Sequence, residues 1–244
     1  MARILITGSA DGLGRAAAAT LLDQGHEVVV HLRHRDRMAA VQDLLAGPAR
    51  LVIGDLADAG QTHDLAAQAN ALGPLDAVIH NAGVYTGPAI AQVNVLAPYL
   101  LTALIAPPRR LVYLSSGLHR DGHESAAEAL AAGLPISYAD SKLCITALAL
   151  ALARRWPQVA SHAVDPGWVP TRMGGPHATD DLREGHWTQE WLVTADDPGA
   201  LVGGGYWYHR RRQAPHAAAR DPAFQERLLD ALAQATSVVL PMVG

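Results

Sequence analysis

The sequence is poor in cysteine, in aromatic residues and in net charge, and it holds no long apolar run. Cys144 is the one cysteine, so no intrachain disulfide is available, which suits a reducing compartment. The formal net charge is −4, and a chain with no basic excess lacks the footprint of a dedicated nucleic-acid binder. A membrane span needs roughly eighteen or more apolar residues in a row. Leu143–Ala153 is shorter and runs into Arg154 and Arg155. Met1–Gly8 contains a brief apolar run that ends at a glycine, without a secretory cleavage site. The histidines and the one cysteine form no Cys/His ligand spacing, and no catalytic metal is expected. The expectation is a soluble, cytoplasmic chain.

What is present is apolar. Half of the 244 residues are hydrophobic, enough to bury a core that offsets chain entropy, and disorder is excluded. Short β-type runs alternate with longer helical ones. Arg3–Thr7, Glu27–Leu32, Leu51–Ile53, Ala77–His80, Arg110–Ser115, Val159–Val164 and Gly205–His209 read as strands. Gly12–Gln24, Asp36–Leu45, Asp58–Leu72, Ile90–Ile105, Tyr138–Trp156 and Pro222–Gln234 read as helices, with Asp36 as an N-cap and Pro98 as a kink. That alternation predicts one α/β domain over residues 1–244. It is a Rossmann-type doubly wound parallel sheet of about seven strands with helices on both faces. Two segments break the rhythm: His119–Leu134, and the polar, glycine-rich Thr171–Gln189. Arg210–Arg212 reads as a solvated edge after the last strand.

Thr7-Gly8-Ser9-Ala10-Asp11-Gly12-Leu13-Gly14 joins the first strand to the first helix. Its glycines permit a tight turn and close approach of a pyrophosphate to the helix N-terminus. Read alone it is a packing turn; within a βαβ unit it points to a dinucleotide. Tyr138 and Lys142, four apart on a helix, share one face. An ammonium beside a phenol favours the phenolate and lowers its pKa towards a working range for proton transfer. The same spacing also occurs on ordinary helices. Ser115 and Ser116 end the fifth strand, Asn94 lies in the fourth long helix, and Asp165-Pro166-Gly167-Trp168-Val169-Pro170-Thr171 follows the sixth strand.

The spacing G-x-x-x-G-x-G, taken with Asn81-Ala82-Gly83, Asn94, Ser116, Tyr138-x-x-x-Lys142 and the Pro-Gly segment, resembles the classical short-chain dehydrogenase/reductase family. The resemblance runs from Arg3 to about Thr171, roughly two-thirds of the chain. It implies a catalytic set of Asn94, Ser116, Tyr138 and Lys142, with Ser115 as the alternative to Ser116. In the family the tyrosine is the general acid/base and the serine orients the substrate oxygen. The lysine tunes the tyrosine and holds the nicotinamide ribose, and the asparagine holds a relay water. It further implies cofactor contacts from Gly8, Ser9, Gly12, Leu13, Gly14, Asp55, Leu56, Asn81, Ala82, Gly83, Pro166, Gly167, Val169 and Thr171, besides Tyr138 and Lys142.

Leu32 stands where relatives that prefer NAD carry an aspartate, and Arg33 and Arg15 offer guanidinium groups to a 2′-phosphate, so NADP(H) is favoured over NAD(H). The stretch between Ser116 and Tyr138 is longer than usual, and the C-terminal end departs from the common pattern. Both features resemble the retinol-dehydrogenase-like branch. Residues 171–194 are expected to form a substrate lid, with Trp168, Trp187 and Trp191 as candidates for an apolar pocket or for core packing. The helices Ile90–Ile105 and Tyr138–Trp156 match those of the common family homodimer.

The implied activity is reduction of a ketone or aldehyde by NADPH. The alternatives are an alcohol dehydrogenase working in the oxidative direction and, from another class, a non-catalytic NADP-binding sensor. Retention of Tyr138 and Lys142 weighs against the sensor.

Overall fold

A computed structural model describes residues 1–243. Eight strands form one sheet in the order β3-β2-β1-β4-β5-β6-β7-β8. They are β1 (Arg3–Ile6), β2 (Glu27–Leu32), β3 (Arg50–Ile53), β4 (Ala77–His80), β5 (Arg110–Leu114), β6 (Ala160–Asp165), β7 (Gly205–Tyr208) and β8 (Arg211–Gln213). All neighbours pair in parallel except β7 and β8. The helices are α1 (Gly12–Asp23), α2 (Gln42–Leu45), α3 (Ala59–Ala71), α4 (Ala97–Leu104), α5 (Ala126–Ala131), α6 (Tyr138–Arg155), α7 (Leu182–Thr194), α8 (Pro198–Leu201), α9 (Ala217–Arg220) and α10 (Pro222–Thr236).

The strand sequences are apolar without alternation because both sheet faces are covered. Leu5, Val29, Val78 and Leu111 point into the layer that holds α3, α4, α6 and α10. Ile4, Ile6, Val28, Val30, Ile79 and Val112 point into the layer that holds α1 and α7. Among the described residues no helix is long and apolar enough to cross a membrane.

Three expectations change. First, the sheet has an eighth strand: Arg211–Gln213 folds back antiparallel on β7, through a turn at His209 and Arg210. Its three residues are polar and exposed, so no apolar pattern announces it. Second, Asp36–Leu45 is a 3-10 turn at Arg35–Val41 followed by the short α2, and Asp36 lies inside the turn rather than at its cap.

Third, Ile90–Ile105 is two geometries. Residues Gln92–Leu96 are π-helical, with the Ala97 N–H donating to the Gln92 carbonyl five residues back, and α4 follows. Pro98 has no N–H to return to the carbonyl of Asn94, which removes one rung of a regular helix there. The two helices assigned to a homodimer are largely covered within the chain itself. Ser141 to Leu152 of α6 are buried within the single chain, under α5, α9 and α10.

Candidate functional site

The chain path reverses direction between β1 and β4, and a crevice opens there beyond the carboxyl ends of the strands, the usual place for a ligand in an open α/β sheet. The β1–α1 turn forms one wall. Gly8 has φ +67°, and a Cβ on it would lie 3.0 Å from the Ala82 Cα. A Cβ on Gly14 would lie 2.7 Å from the Gly8 carbonyl and would also collide with the Asn81 amide. The turn therefore closes only with glycine at both positions. Asp11 caps α1, its carboxylate accepting the Gly12 N–H at 2.8 Å.

The strand β4 loop locks onto this turn. Asn81 Nδ2 donates to the carbonyls of Thr7 at 2.9 Å and Gly8 at 3.3 Å, and the Ala82 N–H donates to Thr7 Oγ1 at 3.0 Å. Asn81 and Ala82 thus shape the glycine turn directly. Ser9 sits elsewhere than expected. It is fully buried, its hydroxyl donating to the Ile6 carbonyl and accepting the His31 N–H, so its side chain braces the turn and does not face a phosphate. Leu56 is likewise a core side chain.

On the far side of β2, Arg33 Nε and Nη2 each lie 2.8 Å from Asp55 Oδ2, and Arg33 remains 63% exposed. Asp55 also accepts the Ala57 N–H. Burial acts to raise the Asp55 carboxyl, but the Ala57 N–H and the Arg33 guanidinium outweigh it and hold the pKa below the usual carboxylate value. Arg15 is engaged by Asp43 at 2.6 Å and by the Ala40 carbonyl. Of the two arginines, Arg33 is the more open to the crevice edge.

At the other end, α6 begins with a capping box. Ser137 Oγ accepts the Asp140 N–H, and Asp140 Oδ2 accepts the Ser137 N–H and hydroxyl. Such a cap stabilises a helix end by about 1 kcal/mol and fixes Tyr138 at its first position. Asp140 also receives the His123 N–H at 2.8 Å, which ties the long link to the start of α6. One turn on, Lys142 Nζ donates to the Leu114 carbonyl at 2.8 Å and lies 5.3 Å from the Tyr138 ring centre.

Ser116 hydrogen-bonds Tyr138 and caps the turn Gly117–Asp121, accepting the Leu118 N–H at 3.2 Å. Ser115 instead turns inward to Thr146 Oγ1 at 2.6 Å, so Ser116 is the serine presented to the crevice. Asn94 Oδ1 accepts the Val84 N–H, and Nδ2 donates to the Val84 carbonyl and to Ser141 Oγ, which joins the loop after Gly83 to α6.

Electrostatics refine the expectation for Tyr138. Burial raises its phenol to about 12 against the lowering effect of the Ser116 hydrogen bond, so it is a phenol and not a phenolate at neutral pH. Burial likewise lowers Lys142 to about 8, opposed by Asp165. The carboxylate of Asp165 and the ring of Tyr85, 4.7 Å from Tyr138 and edge-on, complete the surroundings.

The Pro-Gly segment closes the crevice. Thr171 reaches the glycine turn: a Cβ on Gly12 would lie 3.2 Å from its Cγ2. Val169 is buried, and Gly185 at the start of α7 packs against Val169, Leu13 and the Pro166 carbonyl. Gly167 adopts φ +80°, and its N–H donates to Asp165 Oδ1. The three tryptophans diverge. Trp168 is half exposed beside the crevice. Trp187 lies against Arg210 and Arg183, and Trp191 packs on Trp207 at 4.9 Å, so neither lines the crevice. A cavity of about 720 Å³ lies by Trp191, Tyr208 and Arg210 at the β7–β8 turn.

Three polar residues were missed by motif reading: His31, His119 and Asp165. His119 is fully buried; its Nδ1 pairs with the Ser116 carbonyl at 2.8 Å, and its Nε2 accepts the His216 N–H at 2.9 Å. A lone histidine or aspartate carries no spacing signal, and for His31 and Asp165 only the fold brings them beside their partners.

The sheet, the glycine turn and the Ser–Tyr–Lys corner define a dinucleotide-fold oxidoreductase. The short chain dehydrogenase family profile matches residues 2–107. An uncharacterized oxidoreductase of Emericella nidulans is 39% identical over 99% of both chains. A Streptomyces sp. protein provisionally named daunorubicin C-13 ketoreductase DnrU is 31% identical over 95% of this chain and 91% of its own. Retinol dehydrogenase 14 of Mus musculus is 31% identical over 70% of this chain and 62% of its own.

Among solved structures, an uncharacterized protein from Mycobacterium paratuberculosis superposes with TM-score 0.83 at 22% identity, over 99% of this chain and 95% of that one. A blue fluorescent protein from a metagenomic library, in complex with NADPH, gives 0.72 at 23%, over 85% and 95%. The chain belongs to the short-chain dehydrogenase/reductase family of oxidoreductases, with a relationship to its retinol-dehydrogenase-like members.

Proposed function

We propose that the protein is an NADP(H)-dependent carbonyl reductase acting on a ketone or aldehyde. The observation that carries this reading is the meeting of Ser116, Tyr138 and Lys142 at the carboxyl ends of β5 and β6, beside a glycine turn that no side chain could fill. That cradle and the free N–H groups of the first turn of α1 suit a pyrophosphate. Gly8, Gly12, Leu13, Gly14, Asn81, Ala82 and Gly83 would line the dinucleotide. Asp55 and the backbone at Leu56 would face the adenine, and Pro166, Gly167, Val169 and Thr171 the nicotinamide. Arg33, with Arg15 behind it, would meet the 2′-phosphate, and the apolar Leu32 offers no carboxylate to a ribose hydroxyl.

When bound, reduced nicotinamide supplies hydride to the carbonyl carbon. The Tyr138 hydroxyl, protonated at neutral pH, gives its proton to the carbonyl oxygen, and Ser116 Oγ orients that oxygen. Lys142, fixed on the Leu114 carbonyl, holds a ribose and draws on a water at Asn94 to restore the tyrosine proton. Residues 171–194 would cover the crevice as a lid, with α7 packing on Leu13 and Val169 through Gly185. The provisional ketoreductase name of the Streptomyces relative supports a carbonyl substrate.

The test is loss of nicotinamide absorbance over a panel of ketones and aldehydes, with NADPH against NADH. Turnover with NADPH that disappears in Tyr138→Phe is expected. Binding of neither cofactor, or turnover that survives Tyr138→Phe, overturns the reading.

A further inference from the structure

The reaction above leaves one carboxylate beside the reacting groups without a role. Asp165 is the last residue of β6. Val164, just before it, pairs with Leu114 across the sheet, and the Leu114 carbonyl is the anchor of the Lys142 ammonium at 2.8 Å. The carboxylate therefore follows directly on the residue opposite that anchor. Its Oδ1 accepts the Gly167 N–H at 3.0 Å and its Oδ2 accepts the Tyr206 hydroxyl at 3.1 Å. A Cβ on Gly117 would lie 3.3 Å from Oδ2, so the turn after Ser116 packs on the carboxylate with no side chain between. Both oxygens are thus held in place at the floor of the site.

We propose that Asp165 is a positioning residue whose fixed negative charge secures the Lys142 ammonium and keeps Tyr138 protonated. The consequence for catalysis rests on the oxidoreductase reading; the coupling between Asp165 and Lys142 does not.

A nearby carboxylate favours an ammonium and disfavours a phenolate, so it raises both pKa values. Burial drives Lys142 down to about 8, with Asp165 acting against it, and among the described residues Asp165 is the one carboxylate whose charge acts on Lys142. For Tyr138, burial is the larger cause, the Ser116 hydrogen bond opposes it, and Asp165 adds to the rise. The other groups that face this corner carry little charge. Tyr206 and Tyr208 from β7 are pushed up by burial and stay neutral. Burial lowers His119, from the turn after β5, so it is neutral too. Tyr85 approaches Tyr138 from the loop after β4. Asn94 lies towards Lys142 across Gly83 and is uncharged. Arg120 lies over the outer face of the Tyr206 ring at 5.9 Å, and Asp180 is reached only through the Tyr208 hydroxyl.

Lys142 is the only lysine in the sequence, so lysine labelled with carbon-13 at Cε gives one resonance whose shift reports its titration without any substrate. In the full-length protein that resonance is expected to titrate at about 8. Asp165→Asn keeps an acceptor for the Gly167 N–H and turns an amide donor to the Tyr206 hydroxyl while removing the charge, and is expected to lower the midpoint by about one pH unit. Asp165→Glu stays near the wild type, and Tyr206→Phe, which removes a hydrogen bond but no charge, moves it little. An unchanged midpoint in Asp165→Asn overturns the proposal, as does an equal shift in Tyr206→Phe. If Asp165→Asn does not fold, the wild type decides, because an unsupported buried ammonium would titrate below about 7.

Kinetics give the second readout. In Asp165→Asn the alkaline limb of ketone reduction by NADPH moves down by about one pH unit. A lower kcat with an unmoved limb shows a merely structural role and overturns the proposal. Absence of any turnover by the wild type would remove the proposed function, while the lysine resonance would still decide the coupling.

Discussion

The imidazole Nδ1 of His31, on β2, accepts the backbone N–H of Gly8 in the glycine turn at 2.9 Å. Its Nε2 faces the Gly54 carbonyl at 2.8 Å, which places the single ring proton there. One neutral imidazole therefore ties the β1–α1 turn to the end of β3. Protonation would set a ring N–H against the Gly8 N–H and release the turn. Burial pushes His31 below the ordinary histidine value, with the Gly54 bond and Asp55 acting the other way. Affinity for NADPH is thus expected to be flat above neutrality and to fall at acid pH, below the ordinary histidine range. In His31→Phe it should be lower by about tenfold and lose that acid fall, which fluorescence titration of NADPH across pH would show.

Other buried histidines make the fold itself acid-sensitive. Burial lowers His80 to about 3 and His162 to about 4. The unfolded chain takes up protons at these positions near pH 6.5, whereas the native state does not until the lower values. The unfolded form gains protons first as pH falls, so stability is lost from about pH 6.5 downwards. Thermal unfolding should show a lower Tm at pH 5 than at pH 7. A Tm that is constant over that interval would contradict neutral burial of these rings.

Arg33 is expected to decide between cofactors. Its guanidinium is held by Asp55 yet is 63% exposed, so removing it costs little stability, within about 1 kcal/mol. Arg33→Ala should weaken NADPH binding by about tenfold or more through loss of a charge-assisted phosphate contact, and leave NADH binding nearly unchanged. Equal weakening of both would place Arg33 outside the 2′-phosphate site.

The glycine turn gives a steric prediction. A methyl group at position 14 meets the Gly8 carbonyl and the Asn81 amide, both of which are held by other contacts. Gly14→Ala should destabilise the protein by about 1–3 kcal/mol, as overpacking does, and abolish cofactor binding, because the turn and the β4 loop can no longer meet. Denaturant unfolding and a cofactor titration on the same variant test the two halves separately.

What could be read from the sequence was whatever repeats at short range. The strands β1 to β7 declared themselves as apolar runs because both faces of the sheet are covered. Gly8 to Gly14, Asn81 to Gly83 and Tyr138 to Lys142 were legible because each has its partner within a few residues. His31 and Asp165 were not, since their partners are Gly8 and the Tyr138–Lys142 pair, which arrive from other elements, and His119 was not because a lone histidine three residues from Ser116 forms no recognisable motif. β8 was hidden because an exposed three-residue edge needs no apolar side chain. Burial of α6 under α10 was hidden too, because an apolar helix face reads the same whether a second chain or the same chain covers it.

His119 carries the last prediction, because it connects the long link after β5 to Ser116. Its ring donates from Nδ1 to the Ser116 carbonyl and accepts the His216 N–H at Nε2, while stacking at a tilt on Tyr206, 4.6 Å away. The residue is fully buried, so His119→Ala opens a cavity and leaves a carbonyl and an N–H without partners. The expected cost is about 2–4 kcal/mol in denaturant unfolding. Ser116 caps the same turn through its hydroxyl, so loosening its backbone displaces the group that orients the substrate oxygen. The glycine turn lies on other strands and is untouched. The variant should therefore lose kcat by about tenfold or more at a temperature where it remains folded, and bind NADPH as the wild type does. A parallel loss of cofactor binding would mean that the long link supports the whole crevice rather than its catalytic corner.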